Sequence, residues 1–205
     1  MGFTRKTEYY LVHYLPCSNK EARQLIQQGL VQINGKTISD NPIISETDEL
    51  KVTGRVIKPA KQFEYYKFYK PRGFESTMNP GVPGNISVFF DPGKQLSIAG
   101  RLDKASEGLL LLSNDGKWVE DLCRPASFKE KEYLVQLDKI PDEIFFQRFQ
   151  AGIILDGSLT RPCQCFSSGE TGIRVILAEG RYRQIRRMCH KLGYGVTELK
   201  RIRID

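Results

Sequence analysis

The run Leu109-Leu110-Leu111-Leu112, with Gly108 before it and Ser113-Asn114-Asp115-Gly116 after it, is the tightest constraint in the chain. A short apolar stretch closed on both sides by turn residues reads as a strand apolar on both faces, or as a short buried helix. Immediately upstream, Gly100-Arg101-Leu102-Asp103 leads through Lys104-Ala105-Ser106-Glu107 into that run. Asp103 is therefore a carboxylate at the rigid edge of a core. Spacing alone leaves it two roles, organising a turn or helix cap on the one hand and doing chemistry on the other.

At 205 residues and 40% hydrophobic content, the chain can hold one large domain or two small ones around packed cores. Its longest apolar run is too short to span a bilayer, and no apolar signal region follows Met1-Gly2-Phe3-Thr4-Arg5-Lys6. Lys6 also stands where a myristoylation signal carries Ser or Thr. The expectation is a cytoplasmic protein with no membrane partner. Cysteine usage points the same way: Cys17, Cys123, Cys163, Cys165 and Cys189 are an odd set, which favours reduced thiols. Cys163-Gln164-Cys165 lacks the second Cys/His pair a structural zinc needs, so no metal site is expected and both read as strand residues.

The formal charge of +7 suits an acidic partner. The excess is concentrated late, where Arg174, Arg181, Arg183, Arg186, Arg187, Lys191, Lys200, Arg201 and Arg203 face chiefly Glu179 and Glu198. Such clustering fits phosphate contacts better than a generally soluble surface.

Ser18-Asn19-Lys20-Glu21 is a capping box, and Ala22, Leu25 and Ile26 follow at helical spacing until Gly29, which predicts a helix over 18–28. Val31 and Ile33 alternate into Asn34-Gly35, a two-residue hairpin signal, and a strand over Leu50 to Val52 precedes Gly54. Arg55 to Lys61, polar and Pro-containing, reads as a connector. The expected division is 1–60 and 61–205.

In the second part, Tyr65 to Lys70 alternates as a strand broken by Pro71-Arg72-Gly73. Asn114 or Asp115 can cap a short helix carrying Trp118, Val119 and Leu122 and ended by Pro125. Tyr133 to Leu137 reads as a strand, and Pro141-Asp142-Glu143 opens a helix that buries Phe145, Phe146 and Phe149 and closes at Gly152. Strands around Ile153 to Leu155 and Ile173 to Leu177 complete an α+β reading. A last helix over Tyr182 to Leu192 presents Ile185, Met188, Cys189 and Leu192 to the core and Arg183, Arg186 and His190 on another face. That second face is a solvated basic surface, or it builds a site together with Asp103 and Tyr133.

GRLDKASEGLLLLSNDG resembles the most recognisable motif of the RNA pseudouridine synthases. Lys131-Glu132-Tyr133-Leu134-Val135 and the block from Glu179 to Cys189 look like that family's other two signatures in the expected order, and Lys70-Pro71-Arg72-Gly73 resembles its opening block. The tail from Gly193 to Ile204 narrows the resemblance to the RsuA/RluB/RluE/RluF branch, nearest its RluF-like members. The stretch EARQLIQQGLVQINGK is similar to the alpha-L RNA-binding domain of ribosomal proteins. Here it departs from the family: Asn19 and Lys20 replace the usual adjacent arginines, and Glu46, Asp48 and Glu49 follow. A docking module that merely packs is the alternative for this domain.

The resemblance implies a catalytic domain with a mainly antiparallel mixed sheet flanked by helices. It implies conversion of uridine to pseudouridine in ribosomal RNA, that of the large subunit first and transfer RNA second, as part of ribosome biogenesis; nothing in the sequence demands more than a monomer. Cutting the glycosidic bond, turning the uracil and rejoining it through carbon five needs no redox partner or group donor, so no cofactor is implied. Asp103 takes the place of the catalytic aspartate, as nucleophile or as base. Arg186 matches the arginine that pairs with it, or a phosphate contact. Tyr133 matches the tyrosine that lies against the target base. Arg101 helps fill the space a flipped nucleotide leaves or anchors a phosphate, and Leu199 lines the base pocket or is plain core. Arg181, Arg183 and Arg187, with Lys20 and Arg23 in the first domain, are the expected RNA contacts. A non-catalytic RNA-binding or assembly factor on the same scaffold is the competing reading.

Overall fold

The computed structural model describes residues 4–124, 126 and 128–205. The chain divides into two units, Met1–Glu64 and Tyr65–Asp205. Among the described residues no helix is long and apolar enough to cross a membrane.

In the first unit β1 (Arg5–Lys6) leads into α1 (Thr7–Tyr14), then α2 (Asn19–Gln27), β2 (Val31–Ile33), β3 (Lys36–Thr37), β4 (Ile43–Ile44), β5 (Leu50–Val52) and β6 (Arg55–Lys58). The capping box opens α2: the Glu21 amide donates to Ser18 Oγ at 3.3 Å, and the Ser18 amide donates to Glu21 Oε2 at 2.7 Å. Asn34 and Gly35 have φ of +50° and +79°, the left-handed pair that a two-residue hairpin between β2 and β3 needs. Thr53 and Gly54 repeat the device between β5 and β6. The four-stranded sheet runs β3-β2-β5-β6, while β1 and β4 form a separate pair. Leu11, Ala22, Ile26, Val31 and Leu50 make the core.

Two features differ from the sequence reading. Arg55–Lys58 is a strand rather than a connector. The Lys58 side chain is buried, and its ammonium donates to the carbonyls of Glu46 at 3.0 Å and Asp48 at 2.6 Å, so a residue that looked like linker polarity closes the sheet. The helix α1 has no amphipathic pattern to announce it, because Tyr9, Val12 and Tyr14 are exposed although its buried residues Thr7, Tyr10 and Leu11 share one face.

The second unit is built on β7 (Tyr65–Lys70), β8 (Ser97–Ala99), β9 (Glu107–Ser113), β10 (Lys131–Leu137), β13 (Gln164–Ser167), β14 (Gly172–Leu177) and β15 (Val196–Ile204). Around it lie α3 (Gly116–Cys123), α4 (Glu143–Ala151), α5 (Gln184–Lys191) and a short hairpin of β11 (Ile154–Leu155) and β12 (Ser158–Leu159). The sheet order is β13-β14-β10-β15-β9-β7 with β8 also on β9, and among the described residues its one parallel strand pair is β15 against β9. The leucine run is the strand β9, with Leu110 and Leu112 fully buried and Leu109 and Leu111 half-buried.

Asp115 caps α3 by accepting from the amides of Lys117 and Trp118 at 3.1 Å; the expected stop, Pro125, lies outside the described residues. Asp142 caps α4, and Phe145 and Phe149 fill the core beneath it. Cys165 and Cys189 are buried in the same core, and burial pushes the Cys189 thiol up to about 12. The last helix starts later than the spacing predicts. Arg183 sits outside it at φ +49°, since the Arg181 amide is taken by Gln184 Oε1 and the Gln184 amide by the Arg181 carbonyl, which tightens the chain into a turn first.

Candidate active site

Residues 100–106 form the loop that enters β9, and nearly every residue of it is tied to another part of the unit. At its start, the buried Arg201 on β15 sends Nη2 to the Gly100 carbonyl at 2.9 Å and Nε to the Leu109 carbonyl at 2.8 Å. Next, the hydroxyl of buried Ser76 donates to the Leu102 carbonyl at 2.6 Å and accepts from the Leu102 amide at 3.1 Å. The Gly73 amide and the Lys70 ammonium reach the Lys104 carbonyl at 2.8 and 3.4 Å. Arg186 on α5 donates through Nη2 to the Ala105 carbonyl and to Ser106 Oγ, both at 3.2 Å, and through Nη1 to the Val196 carbonyl at 3.0 Å. Finally the Ser106 amide closes the turn on the Asp103 carbonyl at 2.9 Å. Gly108 permits the last approach: it sits at φ +109°, and a Cβ there would lie 2.2 Å from the Arg201 carbonyl oxygen.

Fixed in this way, Asp103 lines a cavity of about 450 Å³ together with Arg101, Tyr133, Arg183, Arg186 and Leu199. Strand register explains the floor: Tyr133 pairs with Arg201 and Val135 with Leu199 across β10 and β15, so Tyr133 and Leu199 arrive from adjacent strands. Both are largely buried. Among the described residues no protein group hydrogen-bonds the Asp103 carboxylate or forms an ion pair with it.

That corrects the expected carboxylate–guanidinium pair. Arg186 turns its Nη atoms to carbonyls and a hydroxyl, and its Nε is buried without a partner. Burial is the first cause that lowers its pKa, and Arg183 adds to it, while the charge of Asp103 opposes them. Arg186 thus acts on Asp103 through the field and by holding the loop.

The expected RNA contacts separate. Arg183 faces the cavity. Arg181 lines it too, but its guanidinium donates to the carbonyls of Ser158 at 3.0 Å and Leu159 at 2.6 Å and pairs with Glu179 at 3.4 Å, so it fastens the β11–β12 hairpin. Arg187 turns to Asp156 at 2.6 Å and belongs to a neighbouring groove. In the first unit Arg23 is bound by both Glu8 oxygens at 3.0 Å, whereas Lys20 is exposed.

Residues the sequence did not single out complete the site. Arg201 and Ser76 are the clamps just described. Lys70 is fully buried with its ammonium on the carbonyls of Pro71, Phe74 and Lys104, and burial brings its pKa down to about 8 against the opposing charges of Glu75, Asp103 and Glu107. Lys131 lines the cavity with Lys129 and Arg161, half-buried, its pKa lowered first by burial and then by Arg201. The cavity is therefore cationic around one unpaired carboxylate. It can draw in an anionic chain, set a planar ring against Tyr133, and present an oxygen nucleophile or base to it.

The comparisons with known proteins fit this arrangement. The sequence profile of the family described as RNA pseudouridylate synthase matches residues 64–191, and that of the S4 domain matches residues 9–49. The chain is 40% identical over 190 residues to the dual-specificity RNA pseudouridine synthase RluF of Salmonella typhi, covering 92% of this chain and 66% of that protein. It is 34% identical over 209 residues to an uncharacterized RNA pseudouridine synthase of Aquifex aeolicus (strain VF5), covering 97% and 85%. A solved crystal structure of pseudouridylate synthase superposes with a TM-score of 0.67 at 29% identity, over 97% of this chain and 88% of that one. The chain thus spans 66% of the length of the RluF protein it matches.

Proposed function

The chain belongs to the RNA pseudouridylate synthase family, and from that premise we propose that it isomerises uridine to pseudouridine in RNA with Asp103 as the catalytic residue. The observation that carries the reading is a carboxylate without a protein partner, on a loop clamped along its length, inside a cationic cavity that also holds Tyr133. In the reaction the bond from ribose C1′ to uracil N1 breaks and a bond from C1′ to C5 forms, while the C5 proton leaves and N1 gains one. Asp103 supports this by attacking the ribose or by removing a proton from it. Tyr133 offers its ring to the uracil while it turns, and Leu199 closes the apolar side of the pocket.

A uridine must leave its stack to reach Asp103, at about a few kcal/mol, and Arg101 and Arg183 at the cavity wall are suited to holding the displaced chain. The substrate we favour is ribosomal RNA of the large subunit, with transfer RNA second, acted on in the cytoplasm by a monomer. The first unit, where the S4 domain matches, adds RNA affinity.

The test is incubation of wild type and Asp103→Asn with ribosomal RNA transcripts, followed by mapping of pseudouridine through carbodiimide-dependent stops in primer extension. A stop made by wild type and lost in a variant that still binds RNA is the expected result. Absence of any stop on free RNA and on pre-ribosomal particles, with binding intact, rejects the reading in favour of an assembly factor.

A further inference from the structure

The cavity does not end at Asp103. Its floor runs along β10, where Tyr133 and Lys131 share a face two residues apart, about 7 Å along the strand. Beyond Lys131 the wall is made by Lys129 and Arg161. Among the described residues neither of these two side chains is in an ion pair. Glu179, an acid in the same wall, is committed elsewhere. It pairs with Arg181 at 3.4 Å and accepts from Gln184 Nε2 at 2.6 Å and from the Arg161 amide at 3.0 Å. This end of the cavity therefore carries positive charge that the chemistry at Asp103 does not use.

Phe128 joins it through Arg161, whose guanidinium carbon lies 4.1 Å from the centroid of the phenyl ring. Arg161 covers one face of that ring, and Phe128 is still 47% exposed. Its backbone is at φ +48°, a conformation that a bulky residue adopts only at a cost. An exposed cation–π contact returns less than a left-handed backbone and an aromatic ring left in water give up. Stability alone gives no reason for the arrangement, whereas a ligand that covers the open face does. A flat apolar face beside unpaired cations, one step along the floor from Tyr133, has the chemistry that takes a nucleobase and its phosphate.

We propose that Phe128 and Arg161 form a subsite for the nucleotide adjoining the target uridine, whose base stacks on the open face of Phe128 while its phosphate meets Lys129 and Arg161. Phe128 is then a specificity-determining residue: a purine offers it a larger face than a pyrimidine does, and an abasic sugar offers none. The subsite rests on the proposed function, which puts the uridine itself against Tyr133.

The experiment uses the full chain carrying Asp103→Asn, so that no substrate is consumed, and fluorescein-labelled RNA heptamers with one central uridine between two adenosines. Each adenosine is replaced in turn by an abasic ribose, and affinity is read by anisotropy. One of the two replacements is expected to weaken binding about ten- to hundredfold. Adding Phe128→Ala is expected to weaken binding of the intact heptamer by the same factor and to abolish the abasic penalty, while Phe128→Trp restores both. Phe128→Leu keeps apolar bulk without a π-face and is expected to match the alanine variant, which separates lost stacking from lost folding. Equal affinity for all heptamers overturns the proposal, and so does unchanged affinity in the alanine variant, which leaves Phe128 as a cover for Arg161. An abasic penalty that persists undiminished in the alanine variant overturns it as well, because the neighbouring base is then read elsewhere. If wild type forms no pseudouridine in any RNA, the catalytic reading fails while the Phe128-dependent penalty is still read from binding.

Discussion

Two carboxylates in the second unit stand among arginines and are treated in opposite ways. Glu132 on β10 is held by Arg174 Nε at 2.5 Å and Arg203 Nε at 2.9 Å, and Arg203 also reaches Glu130 and Asp205 at 3.0 Å. Hydrogen bonds from Arg174 first and Arg203 second hold the Glu132 carboxyl below the usual range. Asp103 has Arg186 and Arg201 in the same cavity wall, yet both arginines donate to backbone carbonyls and leave its oxygens unclaimed. A guanidinium offers donors in a rigid fork, so once the fork is filled by the chain it supplies charge without covering the acid. The lesson is that arginines beside an acid either neutralise it or position it. At Asp103 they position it.

Removing each acid's charge tests that contrast most strongly. Asp103→Asn is expected to lower the rate of pseudouridine formation on the order of a thousandfold or more and to leave the thermal midpoint nearly unchanged, because no protein bond to the carboxylate is lost. Single-turnover kinetics and a melting curve on the same preparation check both halves. A large drop in midpoint means the side chain is structural after all.

Arg201→Met comes next. It strips the donors from the Gly100 and Leu109 carbonyls inside the core, which is expected to cost about 2–4 kcal/mol and to lower the midpoint by about 5–15 °C. Urea titration gives the first figure. Stability within about 0.5 kcal/mol of wild type means the loop stands without its arginine, and the positioning account fails. A smaller effect is expected from Ser76→Ala: loss of the hydroxyl that bridges both backbone groups of Leu102 costs about 1–2 kcal/mol. Because the displaced neighbour is Asp103, kcat should fall about tenfold or more with little change in KM. A change confined to KM would place Ser76 in binding instead.

The sequence carried the elements with strong local signals. Capping residues, the Asn34-Gly35 hairpin and the leucine strand all depend on neighbours within a few positions, and each forms where its chemistry predicts. Asp103, Tyr133 and Leu199 could be named together only through the resemblance, since they come from separate elements. What stayed hidden depends on partners far along the chain. Ser76 meets Leu102 across 26 positions, and Arg201 meets Gly100 across 101. Nothing in GFEST or in the alternating Arg201-Ile202-Arg203-Ile204 distinguishes a buried clamp from a solvated charge. The pairing of Arg186 with Asp103 was misread for the same reason, because the carbonyls that capture its fork have no sequence signature.

Glu132→Gln gives the mildest effect and the one with a pH signature. The folded-state pKa of Glu132 lies below its usual value of 4.5, so the stabilisation it supplies is fully present above that value and is lost as pH falls through the folded one. The variant cannot take part in this titration. Its stability curve should therefore be flatter than that of wild type below pH 4.5, with pseudouridine formation at neutral pH retained. Urea midpoints measured from neutral pH down into the acid limb make the comparison. Identical acid limbs would show that Arg174 and Arg203 gain nothing from this carboxylate. The contrast with Asp103 would then be one of geometry alone.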